Sequence, residues 1–231
     1  MRDEDIDRIL KQSADAAPRV DPAILEHVSG SIRSSLDPVR PLPPSWVLTG
    51  GLVLICAAMA LAGGMLLGPH GVQKMTRLQI GLIFPVLGLF VWIGAMLCVS
   101  EAIPGSRRPV ASWLLAATAC AALAALFGLL FPEYRTEHFV SQGMACLVAG
   151  LGLALPASLA VWWSLRRGFA VSPITAALAR GTLAGLAGLA MLEIHCPILE
   201  AAHVMLWHVA VLAVASAAGM LLARIARAYR R

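Results

Sequence analysis

Six uninterrupted apolar stretches leave this chain almost no route to a water-soluble fold: Trp46–Leu67, Leu78–Val99, Val110–Leu130, Phe139–Leu165, Ile174–Ile194 and Ala201–Ala223. Each supplies the roughly 20 residues that a helix needs to cross a hydrocarbon core. A segment in lipid must satisfy its own backbone hydrogen bonds, so these stretches are expected to be helices. Short connectors separate them and hold the usual breakers: Gly68-Pro69, Pro104-Gly105, Pro132, Gly168 and Pro197. The expected fold class is an all-α integral membrane protein with six transmembrane helices and a short helical cytoplasmic amino-terminal segment. Charge supports this reading, because only 13% of residues are charged, against about 25% in soluble domains. Helices in lipid gain little by hiding apolar surface from one another, so small residues must carry their packing. The 20 glycines, and Gly181-x-x-x-Gly185 in particular, meet that need.

Residues 1–40 differ from the rest. They hold eight of the 13 acids, and they lack the apolar core of a cleavable signal, so the first apolar helix is expected to stay as an anchor. Two domains are expected: a cytoplasmic partner-binding segment at 1–40 and a six-helix sensor domain at 41–231. In the tail, Ile6, Ile9 and Leu10 fall on one face of a short helix over 5–12. Ile24, Leu25, Val28, Ile32 and Leu36 keep near-helical spacing over 22–36. Asp21 is a good N-cap, with Pro22 at the first helical position. Pro38, Pro41, Pro43 and Pro44 then form a stiff connector.

Orientation follows from Lys and Arg. With the amino terminus inside, the inner loops and ends carry Arg107, Arg108, Arg166, Arg167, Arg180, Arg224, Arg227, Arg230 and Arg231, and the outer loops carry only Lys74, Arg77 and Arg135. Nine against three places both termini in the cytoplasm. The same clustering at helix ends explains the basic pI of about 9.3 without direct nucleic-acid binding. Trp46, Trp113, Trp162 and Trp163 lie near segment ends, as interfacial residues do, whereas Trp92 and Trp207 sit deeper and are expected to pack.

This topology sends five of the six histidines to the outer side: His70, His138, His195, His203 and His208. Glu133, Glu137, Glu193 and Glu200 join them, as do Cys196 and, slightly deeper, Cys146. Imidazole, thiol and carboxylate suit zinc, copper and similar ions, but the same residues also suit a wet loop. The neighbours His195 and Cys196 point about 100° apart on a helix and do not share one ion unless Pro197 ends the helix there. Cys146 and Cys196 each fall near the outer boundary and are the candidate redox or sensing pair, with His195 beside them. Cys56, Cys98 and Cys120 fall deeper and are expected to pack. Glu193 and His208 lie just inside the apolar boundary, where ionisable groups pair or serve a function; Glu193 is placed to meet His203 or His208. No Ser-His-Asp pattern, phosphate-binding glycine loop, His-Glu-x-x-His or mid-membrane acid is present, so neither an enzyme nor a proton-coupled transporter is expected.

The carboxyl-terminal half carries Cys146-Leu147, Leu165-Arg166-Arg167-Gly168, Pro173, the glycine-rich Gly181–Gly188 run, His195-Cys196-Pro197 and Trp207. In this order and spacing it resembles the NrsF-like family of bacterial six-helix membrane anti-sigma factors, over roughly Phe139–Arg231. The resemblance implies a protein of the bacterial inner membrane that captures an extracytoplasmic-function sigma factor through its cytoplasmic amino-terminal segment. It implies release on an outer-side signal, with Cys146 and Cys196 matching the family's sensing cysteines. On the tail, Ile6, Ile9, Leu10, Ile24, Leu25, Val28 and Ile32 are the candidate partner-binding residues. No resident cofactor is expected, and a sensed metal ion stays open. Two other readings compete: a membrane sensor or scaffold with a different cytoplasmic partner, and a membrane haem or copper redox protein.

Overall fold

A computed structural model describes residues 5, 7–9, 11–12, 21–35, 42–134 and 139–229. All regular structure among the described residues is helical. The chain divides into two compact units, Met1–Pro41 and Leu42–Arg231.

In the first unit, the described residues between 5 and 12 are helical, and Arg8 pairs with Asp5 at 2.7 Å. Helix α1 spans Pro22–Ser35. The Asp21 carboxylate accepts a hydrogen bond from the Ala23 amide at 2.9 Å, satisfying an orphan donor of the first turn. Ile9, Ile24, Leu25, Val28 and Ile32 are all exposed. Ile6, Leu10 and Leu36 lie outside the described residues.

The second unit contains α2 (Ser45–Leu67), the short α3 (His70–Lys74), α4 (Arg77–Ala102), α5 (Ser112–Leu130), α6 (Phe139–Leu165), α7 (Pro173–His195) and α8 (Ala201–Ala228). Six of these are long and apolar enough to cross a membrane. They match the six apolar stretches, but several run past them. Helix α8 continues through Arg224 and Arg227 because hydrophobicity marks the part of a helix suited to lipid, not the end of its hydrogen bonding.

Helix α7 is the centre. It packs against every other helix of this unit, and 16 of its 23 residues are buried, although it is the least hydrophobic of the six long helices. Small residues explain this. A Cβ on Gly185 would lie 2.8 Å from Leu212 Cα of α8. One on Gly181 would collide with the Ala215 carbonyl, and one on Gly188 with the Gly150 carbonyl of α6. The Gly181-x-x-x-Gly185 face therefore seats α8 backbone against backbone. Buried Thr182 and Ser216 add a hydroxyl–hydroxyl hydrogen bond of 3.0 Å across that contact.

Large apolar residues line the outside instead: Leu66, Leu129 and Leu155 are well exposed. Trp92 is also about half exposed (48%) rather than packed. Position along an apolar stretch therefore does not imply burial within the bundle. Trp207, by contrast, lies directly over Gly143.

The two ends of the bundle are tied differently. At one end the Glu101 carboxylate is buried (3% exposed). It accepts hydrogen bonds from Thr175 Oγ1 at 2.8 Å and Ser112 Oγ at 3.3 Å and meets Arg108 Nε at 3.2 Å, joining α4, α5 and α7. The Leu165-Arg166-Arg167-Gly168 turn docks here, where the Phe169 amide donates to Ala102 O at 2.9 Å. At the other end, Pro197 disfavours a helical conformation at Cys196, whose backbone is extended, and α7 stops at His195. The 68–75 segment covers that stop. Gly71 packs onto the Cys196 and Glu193 carbonyls, where a Cβ would lie 2.6 and 2.7 Å away, and Lys74 Nζ donates to Pro197 O at 3.3 Å.

If backbone contact at α7 holds the bundle, Gly185→Leu should destabilise it by about 1–3 kcal/mol. Gly152→Leu, at a glycine with open space around it, should be close to neutral. Thermal unfolding in detergent measures both, and equal midpoints would contradict the packing argument.

Candidate functional site

The site lies where α7 stops. Cys146 stands about two turns into α6, between Gly143 and Gly150 on the same helical face. Both glycines admit close neighbours: Trp207 lies on Gly143, and Val211 and Leu192 close on Gly150. This brings Cys146 up to the end of α7, where its Sγ sits 3.4 Å from Cys196 Sγ. Cys196 Sγ is in turn 3.6 Å from His203 Nε2.

His203 and His208 come together through an irregularity. Five residues apart on an α-helix, their side chains would diverge by about 140°. Residues Val204–His208 instead form a π turn, in which i→i+5 bonding returns a side chain five positions on to nearly the same face. The rings meet edge to face, with centroids 5.4 Å apart. Donor atoms of Cys146, Cys196, His203 and His208 all lie within 4.8 Å of one another.

Glu193 supports the cluster from the last turn of α7. His208 Nδ1 and Glu193 Oε1 are 2.7 Å apart, with both side chains at most 1% exposed. His208 Nδ1 is thus committed to the carboxylate, and its Nε2 is buried without a hydrogen-bond partner. Glu193 Oε2 and Trp207 Nε1 are the other buried polar side-chain atoms in that condition among the described residues. All three belong to this neighbourhood. The Cys196 thiol is held above its ordinary value by its hydrogen bond to Cys146 and by burial, against lowering contributions from His203 and His208.

Of the candidate sensing residues, Cys146 and Cys196 meet. His195 does not join them: its Nδ1 lies 3.0 Å from Gly68 O, and its ring faces His70 at 6.1 Å. It pins the loop that covers the end of α7. Of the two partners open to Glu193, the structure selects His208. Cys56 and Cys98 are buried in the core and Cys120 is partly buried, all with free thiols. Sequence reasoning missed the pairing of His203 with His208, because nothing in local hydropathy announces a π turn. His138 and Glu137 lie outside the described residues.

A family model described as negative regulator of sigma F, NrsF, matches residues 33–228. The chain belongs to the NrsF family. The match takes in the first three long helices as well as the carboxyl-terminal half, on whose motifs the resemblance rests. No curated protein and no solved structure matches the chain.

The thiol geometry makes a direct prediction. A mild thiol oxidant, accepting two electrons as two protons leave the thiols, should remove Cys146 and Cys196 from the alkylatable pool together. Cys56 and Cys98 should remain alkylatable after unfolding. Mass spectrometry of the alkylated chain reads this out, and independent loss of Cys146 and Cys196 would contradict their contact.

Proposed function

We propose that this protein is a membrane-bound anti-sigma factor of the bacterial inner membrane. It holds an extracytoplasmic-function sigma factor through residues 1–40 and releases it when an outer-side stimulus acts on Cys146 and Cys196. The observation that carries this reading is membership of the NrsF family across residues 33–228. The surface of the bundle supports membrane insertion. Six helices of membrane-crossing length present large apolar side chains outward, which water would not tolerate over so wide an area. The nine-to-three bias of basic residues supports an orientation with both termini in the cytoplasm and the cysteine cluster outside.

The tail supplies the capture element. Helix α1 presents Ile24, Leu25, Val28 and Ile32 at helical spacing, and all four are exposed. An amphipathic helix of this kind lays its apolar face into a partner's groove, and the acids around it suit the basic surface of a DNA-binding protein. By sequence, Ile6, Ile9 and Leu10 are further candidates for contact with the partner. Residues 41–231 act as anchor and sensor. Release then requires two packings of the bundle, one of which is favoured by the stimulus at the thiols. The stimulus class is a thiol oxidant or a thiophilic metal ion, and no catalysis or resident cofactor is involved.

Co-sedimentation of the sigma factor with membranes containing the full chain tests capture and release together. Ile24→Asp, Leu25→Asp and Val28→Asp combined should abolish capture without lowering the amount of membrane-inserted protein. The Cys146→Ser, Cys196→Ser double variant should still capture but fail to release on oxidant or cadmium. Capture that survives deletion of residues 1–40 would remove the tail as the binding element.

Orientation is tested by single cysteine probes in a chain whose native cysteines are replaced. Gln73→Cys, at an exposed position of α3, should react with an impermeant maleimide from the periplasmic side, and Ser106→Cys should not. The reverse pattern would put the thiol cluster in the cytoplasm and end the outer-stimulus reading.

A further inference from the structure

We propose that Cys146, Cys196, His203 and His208 form a closed, four-coordinate site for a thiophilic divalent ion of the zinc class, with Glu193 as the outer group that orients His208. The inference deepens the sensory role given to the two cysteines and rests on that reading for its regulatory meaning. The site itself stands on geometry.

Separation is the first argument. A tetrahedral zinc ion, with sulfur at about 2.3 Å and nitrogen at about 2.0–2.1 Å, sets sulfur–sulfur edges near 3.8 Å and sulfur–nitrogen edges near 3.5 Å. The Cys146–Cys196 separation is 3.4 Å, and Cys196 Sγ to His203 Nε2 is 3.6 Å. The remaining pairs fall within 4.8 Å, so small side-chain rotations close the tetrahedron. The second argument is the unpartnered nitrogen. His208 is fully buried (0% exposed), its Nδ1 is committed to Glu193, and its Nε2 has no hydrogen-bond partner. A carboxylate on one imidazole nitrogen and a metal on the other is the recurrent arrangement of metal-bound histidine; it fixes the tautomer and raises the basicity of the ligand.

Charge is the third argument. Two thiolates and two neutral imidazoles around a divalent cation make a neutral core, which an apolar surrounding accepts far more readily than a bare charge. The binding step balances simply: the ion forms two metal–sulfur and two metal–nitrogen bonds, and the two thiol protons leave to solvent. With four protein ligands no position remains for water, so the centre clamps helices and performs no hydrolysis. It ties α6 through Cys146, the end of α7 through Cys196 and α8 through His203, just before the π turn, and His208, at its end. The π turn thereby acquires a purpose, because a regular helix would separate the two imidazoles.

The test uses the full chain, purified in detergent under reducing, oxygen-free conditions and titrated with Co²⁺ as an optical probe. The expected result is one ion per chain, with thiolate-to-cobalt charge-transfer absorption and the intense visible bands of four-coordinate cobalt, both bleached by Zn²⁺. Cys146→Ser, Cys196→Ser, His203→Ala and His208→Ala should each abolish the four-coordinate spectrum. His70→Ala and His195→Ala should leave it intact. Glu193→Gln should keep the stoichiometry and weaken affinity about 10- to 100-fold. Should His208→Ala fail to fold, His208→Cys should restore binding, with added charge-transfer intensity from a third thiolate. Failure of the unaltered chain to bind Co²⁺ with its thiols reduced would overturn the site, as would an unchanged spectrum in folded His203→Ala and His208→Ala. Sigma-factor capture, measured in parallel, separates the two readings. Capture by a chain that binds no ion overturns the site alone, and four-coordinate cobalt in a chain that captures nothing upholds the site while the anti-sigma reading fails.

Discussion

Backbone-to-backbone contact along α7 is the constraint on which everything else in the six-helix unit depends. Where water does not drive helices together, close approach of main chains is the main source of packing energy, and approach that close is open only to glycine and other small residues. Gly181 and Gly185 seat α8, and Gly188 seats α6 against Gly150. Those contacts set the depth and rotation of α6 and α8 around α7, and hence the place at which Cys146, His203 and His208 arrive at its end. The cluster is thus a consequence of packing some turns away, and its donor atoms converge without any one helix supplying more than two of them.

The end of α7 is itself shaped by two local rules. Proline after Cys196 forces an extended backbone at that residue, which turns the thiol away from the helical path that His195 follows. The 68–75 segment then closes over the stop, with Gly71 against the last carbonyls and Lys74 on Pro197 O. A cation beside the carbonyl end of a helix is favoured by the helix dipole. His195 and Cys196, neighbours in sequence, therefore serve different surroundings: the imidazole fastens the covering loop, and the thiol faces inward to Cys146.

Much of this was legible from the order of residues, and the exceptions have physical causes. Six apolar runs longer than a bilayer is thick admit few arrangements, so the helices follow from hydropathy and breakers. Counting turns inward puts Cys146 and Cys196 at a similar depth, and the packing of α6 on α7 brings them into contact. The cap at Asp21 follows from the residue type alone. Hydropathy does not register a π turn, because Val204–His208 is as apolar as a regular helix there would be, and in a regular helix His203 and His208 would point to different faces. Nor does composition show that Glu101, near the end of α4, is a buried junction of three helices. Its partners Ser112 and Thr175 are ordinary residues near helix starts, and only tertiary structure brings them to one carboxylate. Trp92 fails for a related reason: position along an apolar stretch and burial within the bundle are independent.

The two polar junctions, the cysteine–histidine cluster and the Glu101 node, lie at opposite ends of the same helix. Thr175 in the first turn of α7 bonds to Glu101, and Cys196 follows its last residue, about 30 Å away along the axis. Helix α7 has no proline beyond its first position, whereas α4 and α6 contain Pro85 and Pro156 within their lengths. A helix without an internal break moves as a body more readily than it bends, and its small-residue contacts permit sliding only between discrete seatings, because each glycine fits one carbonyl or Cα at a time. Were Cys196 clamped to α6 and α8, a shift of α7 would be resisted at that end. At the other end such a shift would break the Thr175–Glu101 bond, because Ser112 and Arg108 hold the Glu101 carboxylate independently of α7. What makes α7 a candidate two-state element is that both of its ends are held by groups of fixed reach, and a shift by one seating must break bonds at both.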